Sequence, residues 1–255
     1  LTDTDEKLHG FELGAVDFVT KPFQREELLA RVRTHLEMER LRNHLEDVVA
    51  ERTTRLEASQ HQLQSTLLDF IAVLGATVEV RDPYTAGHQR RVAHLASAIA
   101  RELQWPEHQI QGLHLASVVH DFGKIKIPAE ILSKPGRLTA LEFALIKEHS
   151  ATGYDILKSI NFPWPIADIV HQHHERMDGS GYPKGLAGPD ILPEARILGV
   201  ADVVEAMSSH RPYRPGLGIE VALAEISRQR GTVYDAPAVD ACLRLFQQRG
   251  YQLPA

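Results

Sequence analysis

LASVVHDFGKIKIP, Leu115 to Pro128, decides how this chain reads. An apolar run leads straight into His120-Asp121 and then Gly123-Lys124. Imidazole, carboxylate and ammonium groups are costly to bury unless they pair with one another or hold a metal. The stretch is therefore either a self-satisfied polar cluster at the end of a core helix or part of a metal site. The segments around it bear on the choice.

Upstream, Ile110, Leu113 and Ser117 lead toward His120 on one helical face. Val92, Leu95, Ile99 and Leu103 recur at three- and four-residue steps, and Trp105-Pro106 ends that helix. Leu67, Ile71, Leu74 and Val78 repeat the same spacing. Downstream, Thr139-Ala-Leu-Glu142 is a capping box that opens a helix with Leu141, Leu145 and His149 on one face. Ile166, Ile169, Val170 and His173 follow a Pro163-Trp-Pro165 start, and Leu198, Asp202 and Glu205 share a face of a later helix. No alternating strand of useful length occurs after residue 67, so residues 67–255 read as all-α.

The histidines fall on these core faces. His88 lies four residues before Val92, His120 seven after Leu113 and His149 four after Leu145. His173 and Asp202 also stand where the 3.6-residue period predicts burial. One core-facing histidine is ordinarily a hydrogen-bonded core residue. Several helices that each point a His or Asp inward suggest a metal site of the kind helix bundles build from facing helices. Imidazole with carboxylate suits Fe, Mn or Zn rather than Ca, and a carboxylate beside His120 can bridge two ions. His9, His35, His44, His61, His94 and His108 fall on polar positions and read as surface. His114 and His171 lie near the cluster and read by default as structural.

Two further zones precede this one. Residues 1–36 contain LGAVDFVTKPF, an apolar strand-like run from Val16 to Thr20 ending at Lys21-Pro22, and then the helical EELLARVRTHLE. Residues 37–66 are charged, rich in glutamine and free of Gly and Pro, and read as one long linker helix. Leu41 and Val48 are seven apart, as are Val49, Leu56, Leu63 and Phe70. That is a heptad stripe with a stutter, interrupted by Arg52 and Gln60. It predicts a coiled-coil homodimer; a solvated spacer helix is the alternative.

Composition narrows the function. The chain has 255 residues, 43% apolar and 24% charged, as in an ordinary globular protein. A net charge of -6 with no basic block disfavours binding to duplex nucleic acid. No apolar run approaches a membrane span, so no membrane insertion is expected. The single cysteine, Cys242, rules out a disulfide framework and a cysteine-based zinc site, and fits a cytoplasmic location. No Ser-His-Asp arrangement and no P-loop is evident. The chain begins at Leu1 rather than Met and reads as a fragment of something longer.

HDFGK, the His149 helix, HQHHERMDGSGYP and GVADVVEAMSSHRPYRP together resemble the HD-GYP subgroup of the HD phosphohydrolase superfamily, over about residues 67–250. That resemblance implies an HD-type helical bundle and a metal-dependent phosphodiesterase hydrolysing the bacterial second messenger cyclic di-GMP to pGpG, with onward cleavage to GMP left open. It implies His88, His120, Asp121, His149, His173, His174 and Asp202 as metal ligands, with Asp121 as the bridging carboxylate. Lys124, Tyr182, Arg211 and Arg214 would contact substrate. Tyr84 stands where some members carry a third-metal glutamate, so two divalent ions, Fe or Mn, are expected rather than three. Lys126, Glu205 and His210 are further departures, the last two at positions where aspartates are common. Residues 1–36 resemble the end of a response-regulator receiver domain, with Lys21 as its switch lysine. This implies a two-component system in which a sensor kinase acts on the part of the receiver that is missing here. The competing readings are a catalytically silent nucleotide- or partner-binding module and a hydrolase of another cyclic dinucleotide.

Overall fold

A computed structural model describes residues 3–79, 87–134, 136–209 and 216–254. The chain divides into two compact units, Leu1–Ser65 and Thr66–Ala255.

The first unit holds α1 (Asp3–Glu12) and most of α2 (Arg25–Glu79). Residues 37–66 are helical throughout, as expected. Glu26 and Glu27 in the first turn of α2 suit the positive end of the helix dipole. Pairs such as Glu27–Arg31 (2.9 Å) and Glu51–Arg55 (3.5 Å) lace its exposed surface at i,i+4 spacing. Leu29, Leu36, Leu45 and Leu56 are all exposed. The expected strand from Val16 to Thr20 does not form; the segment is irregular. A strand needs a neighbouring ladder for its N–H and C=O groups, and among the described residues none is present. Instead Asp17 accepts from the Phe18 N–H (2.8 Å) and from Arg31 (2.9 Å).

The second unit is helical, and among its described residues only isolated β-bridges occur. Its main helices are α3 (His88–Glu102), α4 (Glu107–Val119), α6 (Ala140–Leu157), α7 (Ile166–Gln172), α8 (Pro193–Ser208), α9 (Ile219–Arg228) and α10 (Ala236–Gln248). A 3-10 turn (Phe122–Lys126) and the single-turn α5 (Ala129–Leu132) join α4 to α6. α3 packs on α4, α8 and α10, while α6 packs on α7 and the 3-10 turn. Val92, Leu95 and Ile99 of α3 meet Leu113 of α4, Ile169 of α7, Leu198 of α8, Ile226 of α9 and Val239 of α10 in one core. Each such side chain contributes about 1.5–3 kcal/mol by leaving water. The capping box of α6 is present: Thr139 Oγ1 accepts from the Glu142 N–H and Glu142 accepts from the Thr139 N–H.

Two apolar faces differ from expectation. Leu141 and Leu145 are exposed although His149 on the same helix is buried, and Leu67 and Leu74 are exposed while Val78 is buried. The 3.6-residue period marks a stripe, but a stripe is buried only where another element covers it. Among the described residues no helix is long and apolar enough to cross a membrane.

Candidate metal centre

The residues that could hold metal arrive from five segments. His88 opens α3 behind Gly87, whose φ of 73° lies in the left-handed region that glycine tolerates. His120 and Asp121 follow the end of α4, and Lys124 lies in the 3-10 turn. His149 is on α6, His173 and His174 follow α7, and Asp202 is on α8. Gly123 lets the turn approach α6: a Cβ there would stand 1.8 Å from the His149 carbonyl oxygen.

Three ligand groups result, each with its donor atoms within 4.8 Å of one another: His149, His173 and His174; His88, His120 and Asp202; His120, Asp121 and His173. His120 and His173 are each shared between two groups. Asp121 points its two oxygens at different histidines. Oδ1 lies 3.5 Å from His149 Nε2, while Oδ2 lies 3.6 Å from His120 Nε2 and 3.8 Å from His88 Nε2. All seven residues singled out as metal ligands thus surround one buried centre.

The ring orientations are set locally. Nδ1 of His120, His149 and His173 each meets the backbone carbonyl three residues earlier, at Ser117 (2.6 Å), Ile146 (2.7 Å) and Val170 (2.6 Å). A carbonyl only accepts, so Nδ1 carries the hydrogen. Burial holds His149 and His173 toward the neutral form, His173 well below the ordinary histidine range, and at His149 the Lys124 ammonium acts in the same direction. Burial does the same to His174. The lone pairs of His149 and His173 therefore sit on Nε2, and these two nitrogens face each other at 3.3 Å. His174 Nε2 lies 3.1 Å from His149 Nε2. Facing lone pairs repel unless a cation lies between them. The donor set fits a divalent transition metal, and the carbonyl bonds are the outer partners that orient metal-bound histidines.

The carboxylates are ionised. Burial pushes Asp121 upward, but Lys124, His120, His149 and His88 more than offset it and hold it well below its usual range. Asp202 behaves likewise, with His88 as its main partner. Burial also works against a charged His88, yet Asp202 and Glu205 lift its pKa to about 9.

Sequence reasoning placed Glu205 on the Asp202 face without giving it a role. The structure bonds one of its oxygens to His88 Nδ1 and the other to Arg91 Nε (2.6 Å) and Ser209 Oγ (2.7 Å). Glu205 orients His88 as the carbonyls orient the other rings. Glu175 was also missed. Its buried carboxylate accepts from the Lys184 N–H (2.7 Å) and the Leu186 N–H (3.0 Å), fixing the loop that carries Tyr182. Its place directly after His173-His174 was the available signal. Tyr182 lies against His174, with ring centroids 4.7 Å apart, and burial raises its pKa so that the phenol keeps its proton. Lys124 Nζ is 2.7 Å from Asp121 Oδ2. His114 and His171 lie outside the three groups: His114 bonds Ser97 and His171 stacks on Tyr154. Tyr84, His210, Arg211 and Arg214 lie outside the described residues.

A family model for the HD domain matches residues 72–238. The cyclic di-GMP phosphodiesterase response regulator RpfG of Xanthomonas campestris pv. campestris is 37% identical over 235 residues, covering 91% of this chain and 62% of that protein. A cyclic di-GMP phosphodiesterase of Thermotoga maritima is 36% identical over 253 residues, covering 95% of this chain and 68% of that one. The solved structure of a cyclic GMP-AMP specific phosphodiesterase from Vibrio cholerae shares the fold, with a TM-score of 0.56 and 18% identity over 71% of this chain and 49% of that one. With the HD model spanning most of the helical unit and relatives of this identity along nearly its whole length, the chain belongs to the HD-domain family.

Proposed function

We propose that this chain is a metal-dependent phosphodiesterase that hydrolyses cyclic di-GMP to pGpG. The observation that carries the reading is the pair of imidazole lone pairs of His149 and His173 facing one another across 3.3 Å, with His174 Nε2 3.1 Å from His149 Nε2, beside two buried carboxylates. The names of the two curated relatives support the substrate. Two divalent ions, Fe or Mn, held by His88, His120, Asp121, His149, His173, His174 and Asp202 would neutralise phosphodiester charge and acidify a water.

The chain's own residues do the rest. Asp121 divides its oxygens between His149 on one side and His88, His120 and Lys124 on the other, as a bridging carboxylate must. Lys124 stabilises charge building on the phosphate oxygens, and the protonated Tyr182 donates to the substrate. Arg211 and Arg214 hold anionic oxygens with planar forks. The product leaves as a linear dinucleotide, and a second round would yield GMP.

In this reading residues 1–36 are the end of a receiver domain, 37–66 a linker helix that pairs with a second copy, and 67–255 the catalytic unit of a cytoplasmic response regulator. A sensor kinase would act on the receiver. Pairing through the linker predicts that Leu56→Asp with Leu63→Asp in the full chain halves the mass seen in sedimentation; an unchanged mass ends that assignment.

The activity is tested with protein loaded anaerobically with Fe or Mn, assayed on cyclic di-GMP and cyclic GMP-AMP. pGpG is the expected product, and its absence from metal-loaded protein refutes the reading. Faster cleavage of cyclic GMP-AMP would move the substrate but keep the chemistry. Asp121→Ala should lose metal together with about 100-fold or more of the activity. Metal retained with activity intact would remove Asp121 from the bridging role.

A further inference from the structure

Lys147 is a cation that the metal centre leaves unused. It lies on α6 two residues before His149 and is half-buried. Its Nζ stands 4.8 Å from the ring centroid of Phe143 and 5.2 Å from that of Tyr182. The same Tyr182 ring lies 4.7 Å from His174 and 6.5 Å from His149. One shared ring thus links this ammonium to the rim of the metal centre.

Among the described residues two cations close to the metal ligands in sequence are already engaged. Lys124 is bonded to Asp121, and Arg176 donates to the carbonyls of His173 and Glu175. Among the described residues no carboxylate comes within ion-pair range of Lys147; its recorded partners are two aromatic faces. A ring quadrupole attracts an ammonium far more weakly than a phosphate oxygen does. Phe143, one turn back on the same helix face, is 46% exposed and presents its ring to solvent.

Resting on the phosphodiesterase reading, the structure assigns Lys147 to substrate binding: it holds the phosphate of a cyclic dinucleotide that is not being cleaved, and Phe143 offers a face on which a purine stacks. The scissile phosphate needs the metal ligands and Lys124. The second phosphate is one nucleotide away, carries a full negative charge and needs a cation at the rim. An exposed aromatic beside that cation suits the base between the two phosphates.

The test uses the full metal-loaded chain with Lys147→Met and Lys147→Arg. KM and kcat are measured for cyclic di-GMP and for bis(p-nitrophenyl) phosphate, a diester with a single phosphate. Lys147→Met should raise KM for the dinucleotide about tenfold, as expected for one lost charge-assisted contact, with kcat changed far less. The increase for the single-phosphate diester should be much smaller, and Lys147→Arg should recover most of the dinucleotide KM. Equal shifts on both substrates, or no shift on the dinucleotide, overturn the assignment while leaving the phosphodiesterase reading intact. If the unsubstituted protein cleaves neither diester, the phosphodiesterase reading itself falls and takes the assignment with it.

Discussion

The two units treat leucine in opposite ways. In the first, Leu29, Leu36, Leu45 and Leu56 keep 44%, 55%, 60% and 67% of their surface exposed. In the second, Leu95, Leu113 and Leu198 keep none. Both sets lie on helices. Helical periodicity therefore says which face is apolar, whereas burial requires a second element to cover that face. The same contrast explains why the metal centre can exist. Stable, dry placement of seven His and Asp side chains needs the crossing helices that, among the described residues, do not pack on α2 over residues 25–65.

Substitutions of one kind in both units probe that contrast, taken here from the largest effect to the smallest. Gly123→Ala drives a Cβ into the His149 carbonyl and should cost about 3 kcal/mol or more of second-unit stability, with loss of bound metal. Gly10→Ala in α1 meets nothing within 4 Å and should be neutral or stabilising by up to about 1 kcal/mol. Leu198→Ala should destabilise the second unit by about 2–5 kcal/mol, whereas Leu56→Ala should change it by less than about 0.5 kcal/mol. Tryptophan fluorescence reads this directly, since Trp105 and Trp164 are the two tryptophans and both lie in the second unit. Comparable losses from the two leucine variants would break the comparison.

Smaller effects sharpen it. Thr139→Ala removes the N-cap of α6 and should cost about 1 kcal/mol, read as a lowered melting temperature. Hydrogen bonds from Lys134 and then from Thr139 hold the pKa of Glu142 down to about 2 from its ordinary 4.5. A depressed carboxylate stabilises the fold above its unfolded pKa and loses that contribution as pH falls toward the folded value. The melting difference between Glu142→Gln and the parent should therefore be full at pH 6 and shrink from about pH 4.5 downward. A difference independent of pH would show that Glu142 acts only as a neutral acceptor.

Much of the centre was legible because ligands and helix faces obey one period. His88, His120, His149, His173 and Asp202 stand out as polar residues on apolar stripes, and the resemblance carried by HDFGK and HHERMDGSGYP added His174 and Tyr182. Glu205 was only half legible, since its partner His88 lies 117 residues away and no local rule joins them. The strand expected at Val16–Thr20 failed for a related reason: a β segment is defined by its neighbour, which local apolar character does not supply.

The sequence by itself determined the helices, the capping box at Thr139 and the identities of the inward-facing His and Asp residues, because each rests on contacts within about one turn. Even the carbonyl bonds that turn His120, His149 and His173 span only three residues. Only the tertiary structure decided which apolar stripes are covered, that Asp121 divides its oxygens between two sides, that Glu205 holds His88, and that Lys147 shares a ring with the metal centre. Those facts depend on helices meeting across long stretches of chain. HDFGK is a buried polar cluster that a cation can satisfy because α6, α7 and α8 bring their histidines and Asp202 to it.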